Sequence, residues 1–174
     1  TGLANNQSVT CVIGGKERVD SVLAGLKHVS AAQEKWILVH DAARPCIQHQ
    51  DLTRLITYCL AIDHGGLLAT PVRDTMKQAN ASQVVAATLD RSQMWHALTP
   101  QMYKTHELTN AITSALLSDI SITDESSAME AIGCILYTSD AADDQHCLNL
   151  DGRPILRTKK TTHTTITAIH LADT

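Results

Sequence analysis

The chain has 174 residues, of which only 3% are aromatic, and it contains no phenylalanine. Its core must therefore be built from Leu, Ile, Val and Ala. Basic residues are not in excess, because 14 Lys and Arg face 18 Asp and Glu; this argues against nucleic acid as a partner. No apolar run is long enough to cross a bilayer and no signal peptide opens the chain, so we expect no membrane partner.

Motifs that hold disulfides or a resident metal are also missing. The five cysteines are odd in number and form no C-x-x-C pair, which favours reduced thiols and a cytoplasmic location. Nine histidines include no H-E-x-x-H pattern, and His40, His64 and His96 fall in separate predicted elements. We interpret most of them as surface residues or as core residues with satisfied hydrogen bonds.

The most informative stretch is a short apolar run that ends in charged residues. Residues 36–39 are apolar without polar alternation, a pattern typical of a strand buried on both faces. Asp41 and Arg44 follow, and Pro45 predicts that the strand ends there in a loop. Since ligands of open α/β sheets bind at the carboxyl ends of strands, Asp41 and Arg44 stand where a metal-bound phosphate would bind. The alternative is a strand end capped by a surface salt bridge.

The first half of the chain alternates predicted strands and helices. We expect strands over residues 8–13 and 67–72, a helix from Lys16 with Lys16 and Arg18 facing water, and a helix over 48–62. The order strand, helix, strand indicates a parallel crossover. The Gly14-Gly15 turn before a helix N-terminus could bind an anion, although this pattern is more often only a tight turn.

Residues 73–99 break this rhythm. Two strand-like stretches flank a polar turn at residues 80–82, which predicts a hairpin that projects from the sheet and needs a partner surface. Residues 99–101 predict a turn through which the chain returns from the hairpin to the main sheet. Thr105 and Thr123 are the expected N-caps of two further helices, to about residues 118 and 132, and Gly133 is the expected residue after the second.

Five segments, in order and at suitable spacing, together resemble the 2-C-methyl-D-erythritol 4-phosphate cytidylyltransferase family. They are residues 14–26, 39–45, 70–77, 90–101 and 122–130. The resemblance covers about residues 9–133. It implies an α/β, Rossmann-like nucleotidyltransferase core with a mainly parallel sheet and a projecting β-arm, about residues 73–99.

The resemblance also implies a reaction. The polyol phosphate attacks the α-phosphorus of CTP and pyrophosphate leaves, in a homodimeric, cytoplasmic, Mg²⁺-dependent enzyme of non-mevalonate isoprenoid biosynthesis. The family positions match Asp41 as the metal-binding and catalytic residue and Arg44 as a catalytic contact to the substrate. Further substrate contacts are Thr75, Arg91 and Thr99, some of them offered by the arm to the neighbouring subunit. Nucleotide contacts are Gly15, Ser21 and Ala42.

This chain departs from the family pattern in three places. Lys16 stands where many members carry Asp, which affects a base or ribose contact. The glycine-rich loop that grips the CTP phosphates has no counterpart in residues 1–8, so we expect a domain truncated at both ends, 1–133, that is inactive by itself. Residues 134–174 resemble the translation of a sequencing-library adapter rather than the family's closing segment. We expect them to be disordered or to form a poorly packed appendage; an ordinary divergent C-terminus is the alternative.

Three alternatives to this function remain open. The polyol could be ribitol 5-phosphate, with the same chemistry. A sugar-phosphate nucleotidyltransferase that uses another base is more distant. The chain could also be a catalytically incompetent fragment that only dimerises through its arm.

Overall fold

A computed structural model describes residues 10–30, 35–134 and 136–140, in which strands and helices alternate. The elements in chain order are α1 (Arg18–Ser30), β1 (Trp36–Val39), α2 (His49–Ile62), β2 (Gly66–Pro71), β3 (Met76–Ala79), β4 (Val85–Leu89), β5 (Trp95–Lys104), α3 (Thr105–Leu117), α4 (Glu125–Ala131) and β6 (Tyr137–Asp140). None of the helices in these residues is long and apolar enough to cross a membrane.

Four strands of the described chain form the main sheet, in the order β1-β5-β2-β6. β5 is antiparallel to both β1 and β2, and β6 is parallel to β2, so three strands run one way and β5 runs against them. β3 and β4 form a separate antiparallel hairpin. The predicted α/β fold with a projecting arm is thus confirmed, and β5 is the exception to the parallel direction.

The sheet carries a hydrophobic layer on each face. Ile37, Val39 and Tyr103 pack with helices α1, α3 and α4 on one side. Leu38 and Met102 pack with α2 on the other side. Successive side chains of a strand point to opposite faces, so β1 is buried on both faces, as its unbroken apolar run predicts.

The expectation of a turn at residues 99–101 is wrong. β5 runs through this segment, and its register against β2 shifts between Leu67, which pairs with Gln101, and Ala69, which pairs with Ala97. The Thr99–Pro100 bond, which is cis, lies inside this irregularity. A proline has no N–H for a regular ladder, but a bulge tolerates it.

Three further local predictions, one of a strand and two of helix N-caps, are wrong. Residues 10–13 form no strand, and Ile13 is 92% exposed because no described strand lies beside it; residues 8–9 lie outside the described part. Lys104 rather than Thr105 is the N-cap of α3, because the Lys104 backbone is still extended and Thr105 is already the first helical residue. Asp124 rather than Thr123 caps α4.

The α4 cap is a reciprocal one, in which the Asp124 carboxylate accepts the Ser127 N–H at 3.0 Å and the Ser127 hydroxyl accepts the Asp124 N–H. Gly133 follows the helix at φ +79°, as predicted. In the tail, residues 137–140 form β6 and pair with β2, so these four residues are not disordered; residues 141–174 lie outside the described part.

The cysteines only partly match the expectation of reduced thiols. Cys11, Cys59 and Cys134 are free, and burial raises the pKa of the Cys59 thiol to about 11. Cys46 takes part in a disulfide, so the prediction is wrong for this residue.

Candidate active site

Asp41 lies just beyond β1, where the backbone turns. Its N–H donates to the Thr99 Oγ1 at 3.1 Å, and its carbonyl accepts the Arg44 N–H at 3.0 Å. The Asp41 side chain is one-third exposed. The strand thus ends in a loop as predicted, and this loop brings three predicted site residues, Asp41, Arg44 and Thr99, together.

His40 holds this loop through both of its ring nitrogens. Its Nε2 lies 2.8 Å from the Arg44 carbonyl oxygen, and its Nδ1 lies 3.1 Å from the Thr99 Oγ1. Because a carbonyl oxygen only accepts, a neutral ring carries its proton on Nε2, and Nδ1 then accepts the Thr99 hydroxyl proton. The Thr99 oxygen is left to accept the Asp41 N–H. One imidazole therefore links β5 to both ends of the turn.

Arg18 of α1 joins two carboxylates that are far apart in sequence. Its Nη1 and Nη2 donate to the Glu125 Oε1 and Oε2 at 2.6 and 2.9 Å. Its Nη2 and Nε donate to the Asp41 Oδ1 at 3.1 and 3.4 Å. Glu125 is only 2% exposed and Arg18 is half-buried, so the expectation that Arg18 faces water is wrong.

The charges of Arg18, Asp41 and Glu125 together favour the binding of a further cation. Burial acts to lower the pKa of Arg18, but the hydrogen bonds and charges of Glu125 and then Asp41 outweigh it and raise that pKa. Arg18 therefore stays charged, and one cation beside two carboxylates leaves a net charge of about −1. This negative charge lies at the carboxyl end of β1.

The residues fit one kind of metal site and not another. No group of three or more His, Cys, Asp or Glu side chains within the described ranges could hold an ion, which does not fit a resident metal held by protein alone. Mg²⁺ at nucleotide sites commonly takes one or two carboxylates and completes its shell with water and phosphates. Asp41, with Oδ1 bonded to Arg18, can supply one such oxygen.

The predicted nucleotide contacts Gly15 and Ser21 bond to each other. The Gly15 N–H donates to the Ser21 Oγ at 3.0 Å, and the Ser21 hydroxyl donates to the Glu17 carbonyl at 3.2 Å. The Glu17 N–H is taken by the Asp20 carboxylate at 3.0 Å. A side chain at Gly15 would collide with Asp20, so the turn packs directly on α1. These two backbone donors already have partners within the protein.

The remaining predicted contacts lie apart from Asp41. Ala42 is exposed within the turn. Thr75 and Arg91 are exposed at the root of the arm, just outside the first pair of the hairpin, Met76 with Leu89. Among the described residues, no hydrogen bond or ion pair joins Thr75 or Arg91 to Asp41, Arg44 or Thr99.

A second polar cluster, centred on Gln101, stabilises the start of α4. The sequence does not reveal it. The buried Gln101 amide donates to the Asp124 carboxylate at 2.9 Å and accepts from the Tyr103 hydroxyl at 2.8 Å and the Ser126 N–H at 3.0 Å. Burial acts to raise the pKa of Asp124, but hydrogen bonds from Gln101, Ser126 and Ser127 outweigh it, and this pKa lies below its ordinary value. Burial, with the nearby Glu125 and Asp124 charges, raises the pKa of Tyr103.

Arg18, Glu125 and His40 are therefore the site residues that sequence reasoning missed. All three fall inside segments that carry the family resemblance, which was the available signal. Their pairing was not readable, because it depends on contacts such as that between Arg18 and Glu125, 107 positions apart.

Comparison with known proteins gives a consistent result. A family model described as 2-C-methyl-D-erythritol 4-phosphate cytidylyltransferase matches residues 1–145, a wider range than the 9–133 expected. The protein of that name from Vibrio vulnificus (strain CMCP6) is 55% identical over 130 residues, which is 74% of this chain and 55% of the relative. That from Colwellia psychrerythraea is 54% identical over 136 residues, 74% of this chain and 56% of the relative.

Solved structures agree. The 2-C-methyl-D-erythritol 4-phosphate cytidylyltransferase of Francisella tularensis superposes with a TM-score of 0.71 and 29% identity, covering 80% of this chain and 66% of that one. A 4-diphosphocytidyl-2C-methyl-D-erythritol synthase superposes with a TM-score of 0.66 and 37% identity, covering 76% and 60%. The chain spans about half the length of the curated relatives that it matches.

Proposed function

The chain belongs to the 2-C-methyl-D-erythritol 4-phosphate cytidylyltransferase family, and on that basis we propose that the whole protein transfers a cytidylyl group from CTP to 2-C-methyl-D-erythritol 4-phosphate. Pyrophosphate is the second product. The observation that carries this proposal is the Asp41 carboxylate at the carboxyl end of β1, whose backbone is fixed by Thr99 and whose Oδ1 is bonded to Arg18. The substrate is the one for which the relatives are named.

In this proposal Asp41 and Arg44 share the work of neutralising phosphate charge. Asp41 would supply one oxygen to a Mg²⁺ ion bound with the nucleotide, and such an ion would offset charge on the phosphates. Arg44 follows in the same turn, and its planar guanidinium is suited to two oxyanion oxygens. Thr99 contacts the polyol phosphate, Gly15, Ser21 and Ala42 contact the nucleotide, and Thr75 and Arg91 act from the arm.

The arm supports a homodimer. Its hairpin buries little, since Val84 and Val85 are each 59% exposed, and a two-stranded hairpin alone is marginally stable in water. A second copy would cover it and place Thr75 and Arg91 at the neighbouring site. Sedimentation of the chain and of a Val85→Asp variant tests this: the variant should sediment as a monomer at concentrations where the unmodified chain is dimeric. A monomeric unmodified chain would contradict the dimer.

Turnover is best tested in a grafted enzyme, in which residues 10–140 of this chain replace the matching segment of the Vibrio vulnificus relative. With CTP and Mg²⁺ we expect activity on 2-C-methyl-D-erythritol 4-phosphate and much less on ribitol 5-phosphate. Preference for ribitol 5-phosphate would reassign the substrate. Preference for another nucleoside triphosphate would reassign the base. An inactive graft beside an active relative would favour the dimerisation fragment.

The 174-residue chain by itself is expected to bind CTP weakly and to be inactive. The backbone donors of Gly15 and Glu17 are occupied, and Asp20 places a negative charge at the start of α1, so the turn offers little to a phosphate. Calorimetry with CTP and Mg²⁺ should give a dissociation constant above about 1 mM. A low micromolar constant would show that this turn rearranges to bind phosphates. We also propose a cytoplasmic location, which the free thiols of Cys11, Cys59 and Cys134 favour and the disulfide of Cys46 does not.

A further inference from the structure

Arg18 is the only side chain in the described residues that bonds the Asp41 carboxylate, and Glu125 holds it there. The Arg18–Glu125 contact is bidentate, at 2.6 and 2.9 Å, and Glu125 is almost wholly buried. Loss of the partner of a buried carboxylate strongly destabilises the folded protein. The orientation of the guanidinium plane is therefore set by Glu125, on α4, rather than by the more exposed Asp41.

Two of the three remaining N–H donors of that plane converge on one atom. Nε and Nη2 both point to the Asp41 Oδ1, at 3.4 and 3.1 Å, and no hydrogen bond to Oδ2 is found among the described residues. With its N–H bonded to Thr99, Asp41 is held at its backbone and at one carboxylate oxygen. The second oxygen is left to a ligand.

We propose that Arg18 and Glu125 are positioning residues that fix the Asp41 carboxylate in one orientation, with Oδ1 bonded to Arg18 and Oδ2 left for the metal ion that accompanies the nucleotide. This inference rests on the proposed function, in which Asp41 takes part in cytidylyl transfer. Arg18 and Glu125 thereby act on the reaction through Asp41, without touching the substrate themselves. Preorganised groups of this kind matter because a small misplacement of a catalytic side chain is costly to the rate.

The kinetic test uses Arg18→Lys and Glu125→Gln in the grafted enzyme, with Glu130→Gln, an exposed carboxylate on the same helix, as the matched control. Lysine keeps the charge of Arg18 but cannot bond two carboxylates in one plane. We expect kcat to fall about ten- to a hundredfold in both variants, with the KM for CTP and for the polyol phosphate little changed and with Glu130→Gln unaffected. A wild-type kcat in Arg18→Lys would overturn the proposal.

A spectroscopic test uses the 174-residue chain and needs no activity. A clamped guanidinium should give separate Nη–H signals for Arg18 in ¹⁵N NMR spectra. Glu125→Gln should merge these signals and shift the carboxyl carbon signal of Asp41, while Glu130→Gln should change neither. If the Asp41 signal is the same with and without Glu125, the positioning role is wrong. A graft that is inactive without any substitution would instead contradict the proposed function, and the spectra would still decide the role of Arg18.

Discussion

Two regions of the molecule are stabilised in different ways: the main sheet with its packed helices, here called the body, and the arm. In the body, polar side chains bond across elements distant in the sequence, as Arg18 does with Glu125 and Gln101 does with Asp124. In the arm the bonds are local: Asn80 accepts the N–H groups of Ser82 and Val84 within its own turn. The comparison indicates that the body specifies its own geometry, whereas the arm specifies a hairpin but leaves its surface for a partner.

The largest expected effect lies in the body. Asp41→Asn should lower kcat of the grafted enzyme by about a thousandfold, because an amide is a poor ligand for a hard cation and loses the charge. Circular dichroism and the unfolding midpoint should stay near those of the unmodified enzyme. Activity within a few-fold of the unmodified enzyme would make Asp41 a simple strand cap.

The second prediction compares two glutamines, one in each region. Gln101→Leu should lower the free energy of unfolding by about 2–4 kcal/mol, because Tyr103, Asp124 and the Ser126 N–H lose buried partners. Gln78→Leu, on the exposed β3 strand, should change it by less than about 0.5 kcal/mol. Urea denaturation of both variants measures this difference, and equal effects would remove the contrast between body and arm.

The third prediction asks whether the arm serves a neighbouring site. Arg91→Ala should raise the KM for the polyol phosphate about tenfold, with the KM for CTP unchanged, because one charge-assisted contact is lost. Mixed dimers of Arg91→Ala and Asp41→Asn subunits should recover activity, since one site then regains both residues. Verified mixed dimers without activity would show that each subunit builds its site alone.

The smallest effect concerns pH and Asp124. Its pKa in the folded state lies below the ordinary 3.8, so its ionised form contributes stability that is present above that value and is lost as the pH falls through the folded pKa. Asp124→Asn keeps a good N-cap and should flatten the fall of the unfolding free energy below about pH 4. Asp74→Asn, on the exposed loop before β3, is the control and should leave the acid profile unchanged.

The sequence predicts what depends on local pattern. The buried strand before Asp41, the helix over residues 48–62, the hairpin and the left-handed Gly133 all follow from periodicity or from a single residue type. The sequence does not predict β5, because a Thr-Pro pair usually indicates a turn and only the bulge against β2 accommodates it. Nor does it place Arg18, whose helical position faces water on an isolated α1 and is drawn inward by Glu125.

The central position of β5 has a consequence for the order in which the chain can fold. β1 and β2 do not touch each other in the sheet; each pairs with β5, Trp36 opposite Lys104 and Gly66 opposite Met102. Within the described residues, β1 and β2 therefore have no strand to pair with until residue 104 has been synthesised. Such non-local pairing slows folding. The arm, whose two strands are joined by a short turn, can close while the body is still incomplete.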